Sequence, residues 1–184
     1  HESDVFISYC WNDADLVRKT AEKIEEIEYE NESKEKKKVK VWIDLKNMKG
    51  DIYNSMENGV RNCKIFISFI SPKYSTSVNC QRELKLGNDL RKNIICCLVD
   101  PANRFENGGW PPPGIGTLIA GNLYIDLSKD YDQNFIHVAS KILKVLSPLS
   151  TENENKNDQS NSKTVEKAIV DEPSEKSEKE PIVK

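Results

Sequence analysis

Hydrophobic residues along this chain follow two alternating rhythms, short continuous runs and longer stretches in which they recur every three or four positions. That alternation predicts strands followed by helices. Asp4 to Tyr9 (DVFISY) reads as a first strand, with a helix beginning at Asn12 or Asp13, either of which can cap it. Leu16, Val17, Thr20, Ala21, Ile24 and Ile27 then keep helical spacing, whereas Tyr29 to Lys38 is almost wholly charged and reads as a solvated loop. Val39 to Ile43 (VKVWI) predicts a second strand ending at Asp44, and LKNMKG leads through Gly50 to a helix near Asp51 to Asn62. Lys64 to Ile70 (KIFISFI) is apolar almost throughout, as in a strand covered on both faces, and Ser71 and Pro72 end it. A helix over Cys80 to Arg91, a strand over Asn93 to Val99 and an irregular proline- and glycine-rich loop from Asp100 to Thr117 follow. Asn122 to Asp126 is a fifth strand, and Tyr131 to Leu146 is a closing helix with Phe135, Val138, Ile142 and Val145 or Leu146 on one face.

Strands alternating with helices of this length imply an α/β fold, a flavodoxin-like five-stranded parallel sheet with helices on both faces. With 184 residues, 37% hydrophobic and 31% charged, the chain has room for one such domain, residues 1–149, and a tail. From 150 to 184 aromatic residues vanish and Glu, Lys, Ser and Asn dominate, so that segment is expected to be disordered. A net charge of -3 and a pI near 5.6 give no electrostatic reason to expect nucleic acid. No apolar run approaches the roughly 18 residues of a membrane span, and the N-terminus lacks the pattern of a signal peptide. The expectation is a soluble, cytoplasmic chain, and its start at His1 suggests a fragment of something longer. Five cysteines form no CxxC pair and read as reduced thiols, and with only His1 and His137 no metal site is expected.

Glu83 is the residue that asks for chemistry. On a wheel of about 100° per residue it falls inside the apolar arc of its helix, among Cys80, Leu84, Leu86, Gly87 and Leu90. A carboxylate drawn inward loses hydration and is rarely kept there unless paired or used. The alternative is a Glu near a helix start that complements the macrodipole. Ligands of an open parallel sheet bind outside the carboxyl ends of its strands, which places Ser8 to Asp13, Asp44 to Asp51, Ser71 to Cys80 and the chain after Asp100 at one rim, beside Glu83. Neither GxxxxGK[ST] nor GxGxxG occurs, and the third strand ends in Ser71 and Pro72 rather than in a phosphate-accepting carboxylate. No Ser, His and Asp set suggests acyl hydrolysis.

The order and spacing of DVFISYCWND, VWID with LKNMKG, ISPKYSTSVNCQREL, NIICCLVD and GNLYIDLS resemble a Toll/interleukin-1 receptor (TIR) domain from about Asp4 to Ser147. The resemblance implies a TIR fold and one of two roles in signalling and innate immunity. One is an enzyme that cleaves the nicotinamide–ribose bond of NAD, giving nicotinamide and ADP-ribose or a cyclic or variant product, activated by self-association. The other is a non-catalytic adaptor acting through homotypic TIR–TIR assembly. Enzymatic members carry a Glu a few residues into the helix after the third strand, which maps to Glu83, and Cys80 agrees with the pattern three positions before it. Four positions before it, where those members are commonly aromatic, this chain has Asn79.

NAD is then a substrate, no cofactor is implied, and the partners are NAD and other TIR domains. Nicotinamide on ribose is already a cationic leaving group, so the barrier lies in oxocarbenium character on the sugar, which an ionised Glu83 can stabilise. Tyr9 and Trp11 sit on the strand-to-helix connection and offer aromatic faces to the substrate, with ordinary packing as the alternative. Trp42 divides the same way: a strand aromatic is core more often than ligand, yet the resemblance places the matching position near the nucleotide. Ser8 can bind through backbone or hydroxyl, or simply form the turn. Lys46, Met48, Lys49 and Gly50 correspond to the loop through which family members pack on neighbours and gate the site.

Overall fold

The computed structural model describes residues 2–44, 52–100 and 112–147. Its central sheet runs β1 (Val5–Tyr9), β4 (Val41–Trp42), β5 (Ile65–Ile70), β6 (Asn93–Leu98) and β7 (Tyr124–Asp126) in the spatial order β4-β1-β5-β6-β7, every pair parallel. Counted along the chain, those strands are ordered 2-1-3-4-5, the flavodoxin-like winding. The direction of winding reverses between β1 and β5, and a crevice opens at their carboxyl ends.

Alternation along β1 and β5 decides what each face receives. Val5, Ile7 and Tyr9, with Ile65, Ile67 and Phe69, turn toward α1 (Ala14–Glu25) and α5 (Tyr131–Leu146). Phe6, Phe66 and Ile70 turn the other way, toward α2 (Ile52–Asn62), the short α3 (Pro72–Thr76) and α4 (Val78–Asp89). Ser8 has the parity of Phe6, so the sheet aims its hydroxyl at α4 rather than at α1.

The second core packs tightly against glycine. A methyl group on Gly59 of α2 would lie 2.8 Å from the Trp42 ring and 2.9 Å from Phe6. Gly59→Ala is therefore expected to lower the melting temperature. Overpacking costs about 1–3 kcal/mol, against a helix-propensity gain of about 1 kcal/mol. A melting temperature at or above that of the native chain would contradict this packing.

Four expectations from the sequence are corrected. The charged run after Tyr29 is no loop: β2 (Glu28–Glu30) and β3 (Lys36–Lys38) form an antiparallel hairpin in which Glu28 faces Lys38 and Glu30 faces Lys36. Opposed charges support that pairing, and Tyr29 anchors it by burying its ring and donating to Asp4 at 3.1 Å. The strand expected over Val39 to Ile43 shrinks to Val41–Trp42. Asp13 holds the N-cap position of α1 but its side chain makes no cap hydrogen bond: a 3-10 turn (Trp11–Asp13) precedes the helix, and the carboxylate instead accepts from Ser71 at 2.6 Å. Finally, Ser71 caps the unforeseen α3 and Ser77 caps α4, which starts at Val78 rather than Cys80 and ends before Arg91, where φ is 53°. Residues 148–184, including all of the expected tail, lie outside the described residues. Among those described, no helix is long and apolar enough to cross a membrane.

Candidate active site

The reversal point between β1 and β5 collects the polar groups of the rim. Ser8, fully buried, donates its hydroxyl hydrogen to Glu83 Oε2 at 2.6 Å. Its oxygen is also 2.9 Å from the hydroxyl of the fully buried Tyr74. A serine has one hydrogen to give, and with that hydrogen on the carboxylate, Tyr74 must be the donor to Ser8. The result is a directed chain, Tyr74 to Ser8 to Glu83, that points two hydroxyl dipoles at one carboxylate oxygen. Ser77 at the cap of α4 sets the helix phase that turns Glu83 inward, while Leu84 and Gly87 lock that face against the sheet.

Burial is the largest influence on Glu83 and raises its pKa to about 7; the Ser8 hydrogen bond opposes the rise, and the nearby Asp44 charge adds to it. Such a group changes charge near neutral pH. On the other side of the cleft, Tyr9 donates to Asp44 Oδ1 at 2.6 Å, and burial together with that carboxylate keeps the phenol protonated. The Tyr9 side chain thereby ties the end of β1 to Asp44, two residues past β4. Cys80 donates its thiol to the Tyr9 carbonyl at 3.4 Å, and burial pushes the thiol up to about 12. A thiol held protonated is no nucleophile; it joins α4 to the end of β1.

A hollow of about 350 Å³ lies over this rim, walled by Tyr9, Trp11, Asp44, Cys80 and Glu83 among others. Trp11, 63% exposed, stands at its mouth. A second hollow of about 300 Å³ runs between α2 and α4 and shares Glu83 with the first. Among the described residues no group of three His, Cys, Asp or Glu side chains is placed to hold a metal ion.

Of the residues singled out from sequence, Glu83, Tyr9, Trp11 and Cys80 line one cleft. Ser8 meets Glu83 rather than the open space, its hydroxyl committed to the carboxylate. Trp42 does not line either hollow: it is 8% exposed and stacks on Phe6 with ring centroids 4.5 Å apart. Lys46, Met48, Lys49 and Gly50 lie outside the described residues. The sequence placed Asp44 and Tyr74 in rim segments but singled out neither as a site residue. A carboxylate ending a strand at the ligand rim was a usable sign of the first; nothing local signals that Tyr74 will meet a serine 66 positions earlier.

The chain matches the family model described as TIR domain over residues 5–139. Among solved structures it is similar to the TIR domain of the Toll-related receptor TRR-2 from Hydra magnipapillata, at 17% identity, covering 75% of this chain and 98% of that one with a TM-score of 0.48. It is also similar to the TIR domains of the activated Roq1 resistosome directly recognizing the pathogen effector XopQ, at 18% identity, covering 90% of this chain and 96% of that one with a TM-score of 0.47. No match is found among curated proteins.

Proposed function

The chain belongs to the TIR domain family, and from that premise we propose that it is an NAD-cleaving TIR enzyme whose reacting carboxylate is Glu83. The observation that carries the reading is the placement of this carboxylate: inward on α4, fixed through Oε2 by Ser8, and facing a cleft walled by Tyr9 and Trp11. With Oε2 held, Oε1 is the oxygen presented to a ribose. As nicotinamide leaves, positive charge develops on the sugar, and a fixed carboxylate in a partly dehydrated cleft stabilises that charge without reorganising at the moment of reaction. Tyr9 and Asp44 form a second polar wall able to take ribose hydroxyls, and Trp11 offers a face for a base at the mouth. Products are nicotinamide and ADP-ribose or a cyclic or variant form, and self-association activates the enzyme.

The Ser8 bond is part of the device, because it is the interaction that holds the Glu83 pKa down against burial. Ser8→Ala is expected to move the midpoint of the pH–rate profile upward by about one to two pH units, since a hydrogen bond to a charged group contributes about 1.5–3 kcal/mol. Activity near pH 6.5 falls, while activity well above the new midpoint is largely kept. An unmoved midpoint would remove Ser8 from this role.

A second reading, the non-catalytic assembly module, draws support from Leu123 and Ile136, large apolar side chains 83% and 65% exposed. The two readings separate in one assay: the chain is clustered on beads with NAD and nicotinamide is measured. Release by the native chain supports the enzyme; none from folded, clustered protein leaves the assembly module.

A further inference from the structure

We propose that a hollow at the amino ends of the sheet strands binds a compact anion bearing several phosphate groups, with Lys37, Lys38, Lys40 and Lys64 as its cationic wall. The site is separate from the Glu83 cleft and does not rest on the NAD-cleaving reading. The hollow measures about 600 Å³ and all four lysines line it. Lys37 and Lys38 come from β3, Lys40 from the residue before β4 and Lys64 from the residue before β5. Because β1, β4 and β5 run parallel, this wall lies at the end of the sheet opposite the catalytic rim. The lysine-rich run that the cleft leaves unused is gathered there.

Four ammonium groups face two carboxylates, Glu2 and Asp4. Asp4 is already engaged: it accepts from the Tyr29 hydroxyl at 3.1 Å and from the Lys40 amide at 3.0 Å, and lies 3.4 Å from the Lys64 ammonium. It thereby fixes the hairpin and the entries to β4 and β5 around one space. Lys37 is shared with Glu35 at 3.3 Å, Lys38 meets Glu28 as a cross-strand neighbour, and Lys40 makes no ion pair among the described residues. The carboxyl end of α2, whose carbonyls would repel an anion, is covered by Lys92, which donates to the carbonyls of Arg61 and Cys63 at 2.7 Å each. Like charges set in a concave wall focus a positive field on the space between them.

The chemistry of the wall narrows the ligand. An ammonium has three rotatable donors and no preferred plane, which suits phosphate oxygens arriving from several directions. No face is offered to a base: Tyr29, the aromatic residue on this wall among those described, is 7% exposed and its hydroxyl is committed to Asp4. Ser3 lines the same hollow, and its buried hydroxyl has no hydrogen-bond partner among the described residues. An acceptor arriving there would give it one.

The test is titration calorimetry of the whole chain with inositol hexakisphosphate, for native, Lys38→Gln/Lys40→Gln and Lys73→Gln/Lys85→Gln proteins. The second pair removes the same charge from helices that do not line the hollow. Native binding is expected at low salt and should weaken about tenfold between about 50 and about 300 mM salt. Lys38→Gln/Lys40→Gln should weaken it about tenfold or more, and Lys73→Gln/Lys85→Gln less than about twofold. No binding to the native chain at about 1 mM probe, or equal losses in the two variants, overturns the site. Sedimentation with vesicles carrying a phosphatylinositol bisphosphate, against vesicles of equal charge made with phosphatidylserine, separates the sources of the ligand. Capture by the former alone assigns a lipid headgroup, and calorimetric binding without capture by either assigns a soluble phosphate; equal capture by both overturns the proposal.

Discussion

Glu83→Gln is expected to lower nicotinamide release roughly 100- to 1,000-fold, the loss seen when one preorganised electrostatic group is removed from a site. Gln keeps the size of the side chain and can still accept from Ser8, so the cleft should stay assembled while the negative charge disappears. Glu83→Ala should lose at least as much, and the KM of any residual activity should change far less than kcat, because the charge is needed when the bond breaks rather than when NAD binds. Measured release within about threefold of native from Glu83→Gln would mean that the charge does not act on the sugar.

The same substitution should make the fold more stable, and only above acidic pH. The Glu83 carboxyl has a pKa of about 7 in the folded chain against an ordinary value of 4.5, so the folded state holds its proton more tightly than the unfolded state does. Below pH 4.5 both states are protonated and the residue carries no penalty. As pH rises toward 7 the unfolded chain ionises first and stability falls; above 7 the loss stays constant at about 3 kcal/mol. Gln cannot ionise. Allowing for a partly exposed site and a less well matched amide, Glu83→Gln should gain about 2–3 kcal/mol at pH 8 and close to nothing at pH 4.5, as read by urea denaturation at the two pH values. A variant less stable than native at pH 8 would show that the carboxylate is there for the fold. A residue that costs stability and supplies chemistry is what a functional carboxylate on an inward helix face leads one to expect.

Much of this architecture could be read from the chain because its signals are local. The closing helix, Tyr131–Leu146, carries its own period, and the strands Ile65–Ile70 and Asn93–Leu98 are apolar runs with clear stops. The wheel that drew Glu83 inward needed only the residues of its own helix, and an error of two positions in the helix start left the phase intact. What stayed hidden depends on contacts distant in sequence. The hairpin over 28–38 is held by cross-strand charge pairs and by the reach of Tyr29 to Asp4, neither of which has a helical or strand-like period to betray it.

Trp42 carried two readings from the start, core and substrate contact. Its resemblance to a nucleotide-facing position competed with the preference of strand aromatics for the core, and the close approach of Gly59 made a slot that the ring fills. The Ser8–Glu83 bond spans 75 residues. The parity of Ser8 on β1 could have suggested which face it joined, but not which residue it would meet.

The most direct test of a working carboxylate in this cleft is the pH dependence of kcat/KM for nicotinamide release by the clustered native chain between pH 5 and 9. A rise with a single ionisation centred near pH 7, absent from whatever activity Glu83→Gln retains, is the expected result. A flat profile over that range, or the same ionisation surviving in Glu83→Gln, would contradict it.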